Sequence, residues 1–326
     1  MSTKDFVEQH YVRHAQHFEN DLVDEERIRI SQTWFDESTA DYWRHARAYE
    51  CAALLSDRPQ SRWLTIGDGR WGLDSIRIRK KGFASALPSD ISEALLRASK
   101  DRGFIEEYAI ENAERLSFGN ESFDYVFCKE SLHHFPRPFA ALYEMLRVCS
   151  EAVFIVEPND TYEASYPEQM SSQRPARLSR ILRAARMAVH ELLGRKPGWM
   201  PRPKLQFNSP DWENSGNYVY AISRREIEKV ALGLNLSQLA VKGLNDHYVQ
   251  GCEFEPADES RSEIFRQLVQ TIREKDRLCR ERAGDYNMIM AGLFARAMRA
   301  ETRAKFEASG WEVIDLPANP YIPRAA

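Results

Sequence analysis

WLTIGDGRWG, residues 63–72, is a short apolar run that breaks into three glycines. Residues 63–66 have the length and composition of a buried strand. Gly67, Gly69 and Gly72 follow at GxGxxG spacing, ahead of a segment patterned as a helix. Glycines there let the chain turn tightly and let a ligand approach the backbone, while the helix start offers unpaired N–H groups. Asp90 stands 18 residues after Gly72, at the end of a second strand over 83–90, where a carboxylate can accept both hydroxyl protons of a ribose. Strand, turn, helix and acid in this order predict a nucleotide-binding unit. The plainer alternative is a sharp turn with Asp90 capping the next helix. The pattern does not choose among adenosine cofactors, because nicotinamide dehydrogenases share it.

Working outward, short apolar runs alternate with helical stretches, which predicts a parallel sheet in an α/β domain. Further strands are expected near 105–110, over 123–128 (FDYVFC) and over 152–156 (AVFIV). The helix after Pro138 places Phe139, Leu142, Tyr143 and Leu146 on one face. Residues 1–60 read as a polar helical cap closed by Pro59, and 61–160 as the core. Over 161–220 the alternation fails, and a Pro- and Arg-rich insertion intervenes. Between Arg174 and Lys204 nine basic residues and one acid, Glu191, give a local charge of +8, with apolar positions that suggest a basic amphipathic helix. It would meet an anionic acceptor or a membrane surface, or else pack as an ordinary surface helix. Residues 221–326 complete the sheet: a Ser223–Glu226 capping box opens a helix, strands follow over 239–248 and 287–294 around a charged helix over 260–283, and GWEVIDLP ends the pattern as a strand.

Composition narrows the class. The 326 residues are 43% hydrophobic, enough for a sizeable core, and the net charge of −4 provides no global field for nucleic acid. The five cysteines, Cys51, Cys128, Cys149, Cys252 and Cys279, stand singly with no metal-ligand spacing, so a reducing cytoplasm and no metal are expected. No stretch approaches the ~20 apolar residues of a membrane span.

Residues 105–157 carry a set of motifs: NAERLSF (112–118), Ser122-Phe123-Asp124 opening a strand, Leu132-His133-His134, ALYEMLRV (141–148) and Glu157-Pro158 ending strand five, preceded by Asp90-Ile91-Ser92 ending strand two. In this order they resemble the class I S-adenosylmethionine-dependent methyltransferases of the type 11 pattern. The resemblance implies a doubly wound, seven-stranded Rossmann-like sheet with the N-terminal cap and a helical insertion after strand five. It implies that the loop of Gly67, Asp68, Gly69 and Gly72 holds the methionine part of S-adenosyl-L-methionine, Asp90 the ribose, Ile91 the adenine face and Asn112 with Ala113 the adenine edge. Backbone around Cys128 and Lys129 would close the site. Two positions depart from the pattern. Thr65 replaces an acid that usually precedes the first glycine, with Asp68 inside the loop instead, and Asn112 replaces an aspartate.

Methyl transfer asks the protein to align donor and acceptor and, for a hydroxyl acceptor, to remove a proton. Ligands of open α/β sheets sit outside the carboxyl ends of strands, so KESLHHFPRP (129–138) is the place to look. His133 is the first candidate for a general base, with Glu130 and His134 as alternatives, against a purely structural role for the histidines. The expected acceptor is a small molecule or glycan, anionic if the basic insertion meets it, methylated at oxygen. An RNA or protein methyltransferase lacks support, since no Asn-Pro-Pro-Tyr or Asp-Pro-Pro-Tyr element is present and Glu157-Pro158-Asn159-Asp160 follows strand five. A non-catalytic cofactor-binding module is the remaining alternative. The cap, the insertion and residues 245–248 are expected to build the acceptor pocket, with Tyr11, Trp34 and Tyr248 as aromatic candidates; oligomeric state is not encoded legibly.

Overall fold

The computed structural model describes residues 2–160, 216, 218–282, 284–322 and 324, so the basic segment 174–204 and its expected helix lie outside the described residues. Four helices come first: α1 (Thr3–Glu19), α2 (Glu25–Gln32), α3 (Ala40–Ala46) and α4 (Glu50–Leu54). Their starts follow from capping side chains. Ser2 and Asp5 form a capping box on α1, while Asp24 and Thr39 accept from backbone N–H groups at α2 and α3.

The alternating core follows as β1 (Arg62–Ile66), α5 (Leu73–Lys80), β2 (Ser85–Asp90), α6 (Glu93–Asp101), β3 (Ala109–Ile110), β4 (Phe123–Lys129), α7 (Pro138–Val148) and β5 (Cys149–Pro158). The C-terminal part adds α8 (Arg224–Gly233), β6 (Gln238–Leu244), α9 (Glu263–Arg280), β7 (Met288–Phe294), α10 (Ala300–Ala308) and β8 (Glu312–Asp315). The strands form one sheet in the order β3-β2-β1-β4-β5-β7-β6-β8. From β3 to β5 the pairs are parallel, whereas β7 runs against both β5 and β6.

The sheet has eight strands where seven were expected. The segment after α10 is anchored by Trp311, 3% exposed, and its strand pairs antiparallel with β6 through Gln238↔Asp315, covering what would otherwise be an open edge. β3 is shorter than 105–110 because Ile105 is buried against the glycine loop near Gly72 while Glu106 and Glu107 are exposed.

Alternation along the central strands loads both faces. Val126 and Cys128 join a core with Ala141, Leu142 and Met145 of α7 and Ile227 and Ala231 of α8. Tyr125 and Phe127 turn the other way, into a core with Tyr49, Ile78 of α5 and Phe306 of α10. Helices thus cover both faces, and the carboxyl ends of β1, β2 and β4 are left to face the N-terminal helices. Among the described residues no helix is long and apolar enough to cross a membrane.

Candidate active site

A cavity of about 380 Å³ opens at those strand ends, within the range typical of small-molecule sites. Its floor is the glycine loop and the turn after β2. Gly67 has a φ of +73°, and a side chain there would run into Ser131. At Gly69 a Cβ would lie 2.6 Å from Asp90 Cγ, because the Gly69 N–H donates to Asp90 Oδ2 at 2.9 Å. The loop and the acid are therefore one cradle. Asp90 Oδ1 also accepts from the Ser92 N–H at 2.8 Å. Burial pushes the Asp90 carboxyl up to about 6. Gly72, with φ +63°, forms the N-terminal boundary of α5 and lies outside the cavity lining, as does Gly69.

Asp68 explains the Thr65 departure. Its carboxylate folds back, accepting from Thr65 Oγ1 at 2.8 Å and from the Asp74 and Ser75 N–H groups, each at 2.9 Å. The acid missing from β1 is supplied from inside the loop, where it satisfies the first turn of α5. Burial, then the nearby Asp74, holds the Asp68 carboxyl well above its ordinary range. Asp68 remains on the cavity wall, as does Asp74, whose carboxylate accepts from Tyr49 Oη.

Ile91, Asn112 and Ala113 line the far side of the cavity. Asn112 Oδ1 accepts from the Glu114 N–H at 2.9 Å, fixing the turn after β3. The Cys128 side chain is not in the lining: it is fully buried in the core, and only its neighbour Lys129 reaches the cavity.

Lys129 and Glu130 form an ion pair at the end of β4. Glu130 takes a left-handed backbone, φ +48°, a conformation costing on the order of 1–3 kcal/mol in a non-glycine residue and concentrated at functional sites. The Lys129 ammonium holds the Glu130 carboxyl below its ordinary value despite burial, which makes it a weak base. His133 is buried yet lines the cavity, its Nδ1 2.6 Å from Glu157 Oε2. His134 belongs to the wall, its ring 5.3 Å from that of His14 and 5.6 Å from that of Phe18. All three candidate bases, Glu130, His133 and His134, line the cavity. Among the described residues no group of three or more His, Cys, Asp or Glu side chains could hold a metal.

The roof comes from the N-terminal cap, as expected, and includes Tyr11 and Trp34. His10, Tyr11, His14 and Phe18 of α1, with Trp34, close the cavity from above. Side chains fasten α1 there: His10 Nε2 meets the His134 carbonyl at 3.1 Å, Tyr11 Oη donates to Glu114 Oε2 at 2.6 Å, and Ser92 Oγ donates to Glu19 at 2.9 Å. Trp34 is set by its Nε1–H donating to Asp41 at 2.7 Å. Arg70, Glu111 and Ser131 also line the cavity, and no spacing in the sequence marks them. Residues 245–248, by contrast, are absent from the lining. Asp246 pairs with Arg44 and Arg47 of the cap, Asn245 bonds Asp276 of α9, and Tyr248 Oη donates to Glu253.

Residues 64–156 match the model of a family described as a methyltransferase domain. No curated protein matches the chain. Solved structures similar to it include a SAM-dependent methyltransferase from Thermotoga maritima, at 13% identity over 86% of this chain and 98% of that one with a TM-score of 0.43. Another is magnesium protoporphyrin IX methyltransferase from Synechocystis with bound SAH, at 14% identity over 76% and 83% of the two chains with a TM-score of 0.41.

Proposed function

We propose that this protein, a class I S-adenosylmethionine-dependent methyltransferase by its residues 64–156, methylates an oxygen of a small-molecule or glycan-type acceptor held between the cofactor and the N-terminal helices. The observation that carries the reading is that one cavity joins the glycine loop, Asp90, Asn112 and His133 beneath α1. The residues fit the cofactor. The Gly69 N–H reaches the Asp90 carboxylate only because no Cβ intervenes, and that carboxylate has lone pairs to spare for two ribose hydroxyls beyond its bonds to the Gly69 and Ser92 N–H groups.

Bound here, S-adenosylmethionine supplies an electrophilic methyl on a positive sulfur. Asp90 would hold the ribose, Ile91 the adenine face, Asn112 and Ala113 its edge, and Gly67 and Asp68, the part of the glycine loop that lines the cavity, the methionine part, with Lys129 closing the end. For a hydroxyl acceptor the proton would pass to His133, and the transfer would leave S-adenosylhomocysteine and a methyl ether or ester. The α1 roof covers the strand ends where the cofactor would sit. Its aromatic side chains Tyr11, Phe18 and Trp34 offer an apolar surface to the body of an acceptor.

The test is transfer of a radiolabelled methyl group from S-adenosylmethionine into a cell extract separated by ultrafiltration. Label is expected in the small-molecule and oligosaccharide fraction and is lost with His133→Ala. Label confined to protein or RNA would overturn the acceptor class.

A further inference from the structure

Glu157 belongs to none of the roles above, although no side chain in the site is better buried. It is the second-last residue of β5 and is fully buried. One carboxylate oxygen accepts from the Ser131 N–H at 3.0 Å and the Leu132 N–H at 2.9 Å, and the other meets His133 Nδ1 at 2.6 Å. A carboxylate out of contact with water is costly unless donors surround it. Here two are backbone N–H groups, so the third contact is satisfied when the imidazole donates.

We propose that Glu157 is the positioning residue for His133: it fixes the Nδ1–H tautomer, so that the lone pair of the neutral ring lies on Nε2, the nitrogen that takes the acceptor's proton. The inference rests on His133 being the base. The same contact turns favourable to charge once the proton has moved, because the imidazolium then lies against a carboxylate instead of in an apolar wall. The other titratable groups around the ring are Glu130 at the end of β4, His134 beside it with ring centroids 4.0 Å apart, and His14 of α1 beyond His134.

The substitution Glu157→Gln tests this because it keeps shape and reverses one donor. The amide oxygen can still accept from Ser131 and Leu132, which turns the NH2 group toward His133 Nδ1. Nδ1 must then accept, and the proton moves to Nε2. A role confined to holding the 131–132 turn would leave the tautomer untouched.

The readout is the ring ¹⁵N spectrum of histidine-labelled protein saturated with S-adenosylhomocysteine, with His133→Gln for assignment. The expected result is Nδ1–H in the unsubstituted protein and Nε2–H in Glu157→Gln, with S-adenosylhomocysteine affinity within about two-fold. An Nε2–H tautomer in the unsubstituted protein overturns the proposal even if the variant fails to fold, and so does an unchanged tautomer in a folded variant. In the methyl-transfer assay the variant should lose about 10²–10⁴ in kcat with little change in the KM for S-adenosylmethionine. A tautomer that switches while both Glu157→Gln and His133→Ala keep full turnover supports the positioning and removes the base, which separates the two claims.

Discussion

The floor and the roof of the cavity are built by different means. The floor is made by backbone: Gly67 and Gly69 press main chain against Ser131 and Asp90, and the contacts span a few tens of residues. The roof is made by side chains, with α1 reaching across more than 100 positions to Glu114 and the His134 carbonyl. A floor of this kind tolerates few substitutions, since a Cβ at Gly67 or Gly69 would come within 3 Å of Ser131 or Asp90 and displace it. The roof can lose one bond and keep the rest. The floor should therefore govern whether the cofactor binds, and the roof how tightly the site closes and what shares it.

Gly69→Val should show the contrast most strongly. Its Cβ would sit 2.6 Å from Asp90 Cγ, and S-adenosylhomocysteine affinity should fall by about 100-fold or more, the scale of losing backbone approach and a charged hydrogen bond together. Near-normal affinity in calorimetry would mean the loop is only a turn.

Asp90→Ala should cost about ten-fold or more, by loss of the ribose contacts. The pH dependence sharpens the same point. The Asp90 carboxyl is raised to about 6, so protonation favours the folded, cofactor-free protein, and that contribution to stability is lost as the pH rises through about 6. Ribose hydroxyls need the ionised form as acceptor. Affinity should thus hold above pH 6 and decline below it by up to about ten-fold per pH unit, with proton release on binding, and the decline should vanish in Asp90→Ala. A flat profile in the unsubstituted protein would remove Asp90 from the ribose.

At the roof, Tyr11→Phe removes only the hydroxyl that bonds Glu114. A loss of about 1 kcal/mol, or roughly five-fold in S-adenosylhomocysteine affinity, is expected, through faster dissociation. A loss matching that of Gly69→Val would show that α1 is part of the cofactor site proper.

Thr65→Val should be smallest on binding. Thr65 is fully buried and supports Asp68 from below, so stability to denaturant should drop by about 1–2 kcal/mol while affinity stays within about two-fold. The reverse pattern would place Asp68 on the cofactor's ammonium and not on α5.

The same division explains what the sequence revealed. Sheet, glycine loop and Asp90 were legible because backbone geometry permits few residues and fixes their spacing. The pairing of Thr65 with Asp68 was visible only as a double departure, since a carboxylate can reach one place from two positions in the chain. Glu157 was read as the end of a strand motif; nothing in a local pattern says that a β5 carboxylate lies under a histidine in the turn after β4, although the two strands are neighbours in the sheet. The 245–248 segment misled for the opposite reason. Its polar and aromatic residues suit a pocket, but Asp246 and Asn245 are consumed in tying β6 to the cap and to α9. The eighth strand was present as GWEVIDLP, and its place in the sheet depends on pairing partners more than 70 residues away, as in Gln238↔Asp315.

The central claim is that the floor is an S-adenosylmethionine cradle. Calorimetric titration of the protein with S-adenosylmethionine, S-adenosylhomocysteine and NAD in parallel tests it most directly. Binding of the first two is expected, with a dissociation constant in the micromolar range or tighter, about −8 kcal/mol, and none of NAD. Binding of NAD alone, or of none of the three, would contradict it.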